Sequence, residues 1–226
     1  MNKIDATCII DATVELGTGN KILPYTVIYG PTKIGNNNII GPHAVIGTPG
    51  QDTRNPRYDS SNCKIEIGDN NIIREFTAIQ KPCYTDITKI GNNVHVMQSV
   101  HIPHDAVIQD DVVITPMCVL AGISTVLKAA NLGLGVTIHQ RSVIGQYALI
   151  SMGTPVTKNV KPFSIYIQNK PLRVNYYALK KYGFDTYRNE IELYVTQDIK
   201  PKSAHLLKII EEFELLHIAS KRPLYK

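Results

Sequence analysis

The stretch IGNNVHVMQSVHIPHDAVIQDDVVITPMCVLAGISTVLKAANLGLGVTIHQRSVIGQYALISMGTPV, residues 90–156, decides the fold. An aliphatic residue returns at every sixth position: Ile90, Val96, Ile102, Ile108, Ile114, Leu120, Val126, Leu132, Ile138, Ile144, Ile150 and Val156. Four residues after each one, a small or modest side chain recurs, as in Val94, Ala106, Cys118, Ser124 and Ala130. A period of six is neither the 3.6 of a helix nor the 2 of an ordinary strand. It is the period of a hexapeptide-repeat parallel β-helix.

The same beat runs outward to the N-terminus through Ile4, Ile10, Leu16, Ile22, Ile28, Ile34, Ile40 and Ile46, and resumes at Ile67, Ile73 and Ile79. Each six-residue unit is read as one short strand and one corner of a triangular prism, so eighteen residues make a coil. Stacked coils pair as parallel strands about 4.8 Å apart. The aliphatic residue fills the centre and the small residue the corner, where Gly17, Gly35, Gly41, Gly47, Asn20 and Asn38 are expected to ease the turn. The fold class is thus an all-β solenoid. Two stretches without the beat, 48–66 and 80–89, are expected as loops on one face. The repeat fades after Val156, and a division at 1–165 and 166–226 separates the prism from a C-terminal α-helical appendage. In its last segment, Leu206, Ile209, Ile210, Phe213, Leu216 and Ile218 form an apolar stripe. The helices are expected to cap the open end of the prism.

A net charge of +5 and a pI near 8.9 suit an anionic partner such as a nucleotide, coenzyme A or an acidic carrier protein. No long Lys/Arg tract points to nucleic acid, and aromatic residues are too few for a base-stacking platform. Cys8, Cys63, Cys83 and Cys118 show no paired metal spacing, which suggests free thiols in a reducing compartment. Neither a leader peptide nor an apolar run long enough for membrane insertion is visible, so a cytoplasmic location is expected.

The chemistry is sought among residues that point outward. His101, His104 and Asp105 flank Ile102 in HIPHD, all exterior by phase. A histidine followed by a carboxylate offers a base and a group to orient it. Gly122 lies eighteen residues after His104, and Gln140 eighteen after Gly122. One column then presents an imidazole, an uncovered backbone N–H and a side-chain amide, the set that acyl transfer requires. His139 and Gln140 at its upper end would hold donor or acceptor.

With GPHAVIG at 41–47, GQD at 50–52, IGDNNIIRE at 67–75, HIPHD at 101–105, LAG at 120–122, IHQ at 138–140 and VNYYALKKYGF at 174–184, almost the whole chain resembles the UDP-N-acetylglucosamine acyltransferases of lipid A synthesis. The resemblance implies a left-handed coil, a homotrimer and an acyl-carrier-protein or coenzyme A thioester as co-substrate, with no cofactor and no metal. It makes His104 the general base, Asp105 its partner and Gly122 the oxyanion donor. Gln51, Asp52 and Arg54 match acceptor and pantetheine contacts, with Arg54 where a Lys is usual. His101, His139, Gln140, Asn175 and Lys181 match further substrate-binding positions. Ile123 and Gln80 stand where the family has histidines, and Met152 where it keeps a small residue that lets a long acyl chain pass. These departures lead the sequence reading to an enzyme that moves an acetyl or short 3-hydroxyacyl group onto a nucleotide-linked amino sugar of surface polysaccharide. The UDP-N-acetylglucosamine O-acyltransferase of lipid A synthesis is its alternative. A γ-class carbonic anhydrase-like zinc site on His101, His104 and His139, and a non-catalytic scaffold, are the readings from other classes.

Overall fold

A computed structural model describes residues 1–59 and 62–225. The six-residue beat becomes a left-handed parallel β-helix with three faces. Among the described residues these are sheets of ten, eight and seven strands, each pairing every third strand of the chain up to strand Leu149–Ile150 of the first. Register follows the eighteen-residue coil, as in Lys3 against Lys21 and Val113 against Asn131. Ile28, Ile46, Ile79, Ile102, Leu120 and their equivalents are buried along the axis, with Val94, Ala106, Cys118, Ser124 and Ala130 inside the corners. Strand Lys3–Ile4 is the edge of its sheet, and Ile4 is 46% exposed there.

The corners are made differently from the sequence expectation. The left-handed backbone falls three residues after each aliphatic, at Asn93, Ser99, Asp105, Asp111, Met117, Ile123, Ala129, Arg141 and Tyr147, with φ between +55° and +63°. The coil geometry imposes this conformation whatever the side chain, at a cost of roughly 1–2 kcal/mol per residue that the stacked strands outweigh. Gly41 and Gly47 have positive φ, but Gly17 and Gly35 do not. Asn20 and Asn38 do not ease the chain either. They are fully buried and build a ladder in which the side-chain oxygens of Asn2, Asn20, Asn38 and Asn71 accept from the backbone N–H groups of Asn20, Asn38, Asn71 and Val94.

The two expected loops are shorter than the broken beat suggests. Strands Lys64–Ile67 and Ile87–Ile90 pair with each other, and Ile65 is fully buried. Residues 60 and 61 of the expected loop lie outside the described residues. Where adjacent coils elsewhere differ by eighteen, Ile34 pairs with Ile67 and Ile67 with Ile90, offsets of 33 and 23. Both insertions therefore leave from the same corner, between the second and third faces, one above the other.

The expected boundary at 165 cuts strand Ser164–Tyr166, and Arg173–Val174 pairs antiparallel with that strand to close the first face. Three helices follow: α1 (Tyr176–Tyr182), α2 (Arg188–Gln197) and α3 (Ala204–Ser220). α3 lies along a flank of the prism rather than only across its end. Phe213 packs on Leu127 and Val143, and Glu212 accepts from Gln109 at 2.7 Å and Gln146 at 3.0 Å. Leu206, Ile210 and Phe213 of its stripe are buried, whereas Ile218 is exposed. Among the described residues no helix is long and apolar enough to cross a membrane.

Candidate active site

His104, Gly122 and Gln140 follow strands of the second face at the corner that both insertions share. They line one open cleft of about 650 Å³ together with Gln51, Asp52, Thr53, Arg54, Tyr84, Ile123 and Arg141. The column read from the eighteen-residue spacing is thus assembled, and the first insertion forms its wall.

The imidazole of His104 lies close against Gly122. A methyl group built on Gly122 would meet His104 Cε1 at 2.2 Å and Nε2 at 2.5 Å. Glycine is required there by space. The Gly122 N–H has no partner among the described residues, whereas its neighbours Ala121 and Ile123 donate to Ile138 O and His104 O. An unpaired N–H beside an imidazole is a donor that an oxyanion on a substrate carbonyl could use.

Asp105 departs from its expected exterior placement: its side chain is fully buried. The second insertion folds over it. The carboxylate accepts from the backbone N–H groups of Cys83 (3.1 Å), Tyr84 (3.1 Å) and Thr85 (2.6 Å), and from Thr85 Oγ1 at 2.7 Å. The Cys83 thiol approaches it at 3.7 Å, and His104 Nδ1 lies at 2.7 Å. Burial alone would raise its pKa. The hydrogen bonds from His104, Thr85 and the loop backbone outweigh burial and hold the carboxyl far below the usual range. Asp105 is therefore ionised at neutral pH, which fixes the His104 tautomer with Nδ1 toward Asp105 and Nε2 toward Gly122 and the cleft.

Neither Cys83, Tyr84 nor Thr85 was expected from the sequence, since QKPCYTD has no period and no motif. Burial and the Asp105 charge push the Cys83 thiol up to about 12. Tyr84 tilts its ring over His104 at 5.7 Å and donates from its hydroxyl to Asp52 at 2.5 Å. Asp52 also pairs with Arg54 at 2.8 Å, and the hydrogen bonds from Arg54 and Tyr84 lower its pKa to about 2. Arg57 of the first insertion reaches Asp86 at 2.5 Å and Thr85 O at 3.2 Å in the second. The first insertion thus braces the second, and the second braces the base.

Other expected site residues lie elsewhere in this chain. His101 is half-buried beside the cleft, and burial with the neighbouring His104 lowers its pKa. Gln80 is buried with Oε1 unpaired among the described residues. His139 adjoins Gln140 at the cleft's upper end. Met152 is 71% exposed at a different corner, between the first and second faces. Asn175 caps α1 and donates to Tyr147 O at 2.9 Å; with Lys181 it lines a separate cavity of about 580 Å³ against the first face. The three histidines of the zinc reading do not form a ligand group. Among the described residues the compact cluster is Cys83, His104 and Asp105. Its carboxylate oxygens are already filled by N–H and O–H donors, so it is a hydrogen-bonded network rather than an open coordination site.

The Bacterial transferase hexapeptide (six repeats) family model matches residues 13–48 and 87–122. An acyl-(acyl-carrier-protein)–UDP-N-acetylglucosamine O-acyltransferase from Herminiimonas arsenicoxydans is 32% identical over 209 residues, 82% of this chain and 78% of that protein. The chain belongs to this acyltransferase family. A second member, from Gloeothece citriformis, is 35% identical over 171 residues, 74% of the chain. The chain spans 59% of that relative's length. The structure of the UDP-N-acetylglucosamine acyltransferase from Campylobacter jejuni matches all of this chain and 94% of its own, with a TM-score of 0.86 at 20% identity, which establishes the shared fold. Within the family's frame, Ile123 places a β-branched side chain in the left-handed conformation beside Gly122, at φ +63°. It makes that wall of the cleft apolar where the resemblance anticipates an imidazole.

Proposed function

We propose that the chain is an acyltransferase that moves an acyl group from a phosphopantetheine thioester to UDP-N-acetylglucosamine. The observation that carries this is the close approach of His104 to Gly122 and its open N–H, with the ring anchored by an ionised Asp105. Nε2 takes the proton from the attacking sugar hydroxyl as its oxygen adds to the thioester carbonyl. The Gly122 N–H stabilises the oxyanion of the tetrahedral intermediate. Collapse breaks the carbon–sulfur bond, and the departing thiolate recovers the proton from the imidazolium. Base and donor are both protein groups, so the step calls for no cofactor or metal.

The names of the relatives favour this acceptor and an acyl-carrier-protein donor over the short-chain amino-sugar reading placed first from the sequence. The second reading keeps one specific support: Ile123, Gln80 and the exposed Met152 narrow the acceptor and chain length relative to the family pattern. Coenzyme A serves either reading as donor, and both place the reaction in the cytoplasm. We further propose a homotrimer. One chain leaves its cleft open and carries Met152 and Lys181 on other faces, where a neighbour's cleft would meet them.

Thioester turnover decides among these. Free thiol is followed with acyl-carrier-protein and coenzyme A donors of two to fourteen carbons, against UDP-N-acetylglucosamine and amino-sugar nucleotides, with products weighed by mass spectrometry. Acylation of UDP-N-acetylglucosamine on oxygen is expected. Turnover confined to amino-sugar nucleotides would move the assignment to the second reading, and no thiol release with any pair would reject acyl transfer.

A further inference from the structure

The tail after α3 returns to the catalytic edge. Lys221, at φ +56°, turns the chain back, and the fully buried Asn159 holds the returning segment. Asn159 N–H donates to Pro223 O at 2.8 Å, and its carbonyl accepts from Tyr225 N–H at 2.9 Å. Its side-chain amide donates to Ser220 Oγ at 2.8 Å. Tyr225 stacks on Tyr166 at 4.1 Å, and its hydroxyl accepts from Thr157 N–H at 3.1 Å. This strap lays Arg222 across the top of the column. Arg222 Nε donates to Gln140 O at 2.9 Å, and Nη2 contacts His139 Nδ1. Gln140 is two coils above His104, roughly 10 Å away at the spacing of paired strands.

The charges along the cleft are uneven. At the lower end Arg54 is paired with Asp52, and Asp105 is committed to His104 and the loop. At the upper end Arg141 lines the cleft and Arg222 borders it, and neither has a carboxylate partner among the described residues. An Nδ1 that accepts from Arg222 leaves the His139 proton on Nε2, a further donor. The upper end therefore offers cations and N–H groups without an anion to satisfy them.

We propose that Arg222, carried there by the C-terminal strap, forms with Arg141 the phosphate-binding end of the catalytic cleft. The guanidinium fork suits a phosphoryl oxygen pair. Two substrates carry such a group, the nucleotide diphosphate of the acceptor and the phosphopantetheine of the donor. The inference rests on the acyltransferase reading.

Titration calorimetry of the full chain with UDP, uridine, coenzyme A and pantetheine tests it, in wild type and in Arg222→Ala, Arg222→Gln and Arg222→Lys. Arg222→Ala is expected to weaken UDP or coenzyme A on the order of tenfold or more, with the phosphate-free uridine and pantetheine unmoved. The ligand that loses affinity names the source of the phosphate. Lys should restore part of the loss through its charge. Gln, which keeps a neutral donor for Gln140 O, should not. Equal weakening of phosphorylated and phosphate-free ligands, or full affinity in Arg222→Gln, would show that Arg222 only ties down the edge and overturns the proposal. If wild type binds UDP or coenzyme A and Arg222→Ala binds them as tightly, the inference fails alone. If wild type binds none of the four, the acyltransferase reading fails with it.

Discussion

Gly122→Ala adds one methyl group at the point where the site has no room. The new carbon would sit 2.2 Å from His104 Cε1 and 2.5 Å from Nε2, against a carbon–carbon separation of at least about 3.5 Å. Relief requires the imidazole to move by roughly 1.3 Å, because Gly122 sits in a coil whose neighbouring N–H groups are tied to Ile138 O and His104 O. A shift of that size breaks the 2.7 Å bond to Asp105, which cannot follow while the second insertion holds it. Misplacing a reacting group by about 1 Å costs on the order of 10² in rate, and covering the oxyanion donor adds on the order of 10 to 10². Turnover is therefore expected to fall about 10³-fold, mainly in kcat. The backbone of Gly122 has no positive φ, so alanine is conformationally allowed and its stiffening of the unfolded chain offsets part of the strain. Thermal stability should fall by about 1.5–3 kcal/mol, the cost of one donor lost from the buried Asp105 carboxylate. The assay is free-thiol release at saturating donor and acceptor, beside a thermal melt. Near-wild-type kcat in a folded Gly122→Ala protein would refute the arrangement of base over donor.

The remaining expectations rest on the same geometry. His104→Ala should lower turnover by roughly 10²–10⁴ with the fold intact, read by the same thiol assay and by circular dichroism. Thr85→Val removes one donor to the buried carboxylate and should cost about 1.5–3 kcal/mol near neutrality. Because the folded pKa of Asp105 is depressed, its stabilisation is complete above the ordinary value near 3.9 and is lost as pH falls through the folded one. The stability gap between Thr85→Val and wild type in urea should thus be flat from pH 8 to about 4 and shrink below; a gap that closes between pH 7 and 6 would point to another group. Asn71→Ala strips the partner from the buried Val94 N–H and should cost about 1–3 kcal/mol in denaturant melts, with an unchanged midpoint excluding the ladder as a support. Met152→Gly should extend the donor range by several methylenes, each worth roughly 0.8 kcal/mol when buried, and an unchanged chain-length profile would remove Met152 as the limit.

Legibility in the sequence followed periodicity. A strict repeat converts spacing into position, so His104, Gly122 and Gln140 could be placed on one edge by counting eighteens. Met152 lies 48 residues after His104, which is no multiple of eighteen, and it stands at another corner. The counting failed wherever position depends on chain outside the repeat. Asp105 is exterior by phase yet buried, because a six-residue loop with no period closes over it. The donors of Cys83, Tyr84 and Thr85 are mostly backbone N–H groups, which leave no mark in side-chain pattern. Arg222 meets Gln140 across 82 residues, and no local rule links them. The corners misled for a related reason. Glycine and asparagine signal a left-handed turn when the turn is local, but here stacked strands on both sides fix φ, and Met117 or Ile123 must adopt it.

The two insertions also explain why chemistry sits on this edge and not on the other two, whose corners repeat the same backbone. A bare coil can present a histidine above a glycine, but its corner residues point outward into water. There a carboxylate would hold an imidazole weakly, since exposed charged pairs are worth little. Burying the carboxylate strengthens the pair only if several donors replace its lost hydration. The coil has few to spare, because most of its N–H groups are consumed by pairing between coils. An irregular loop can supply them, and the entropy of closing it grows only slowly with length. The second insertion brings the three N–H groups and the Thr85 hydroxyl, and the first keeps it in place through Arg57 and through Gly50, where an added methyl group would press on His104 Cβ at 3.2 Å and Cys83 Sγ at 3.3 Å. The repeat thus sets where base and donor stand, and the breaks in the repeat set how firmly the base is held.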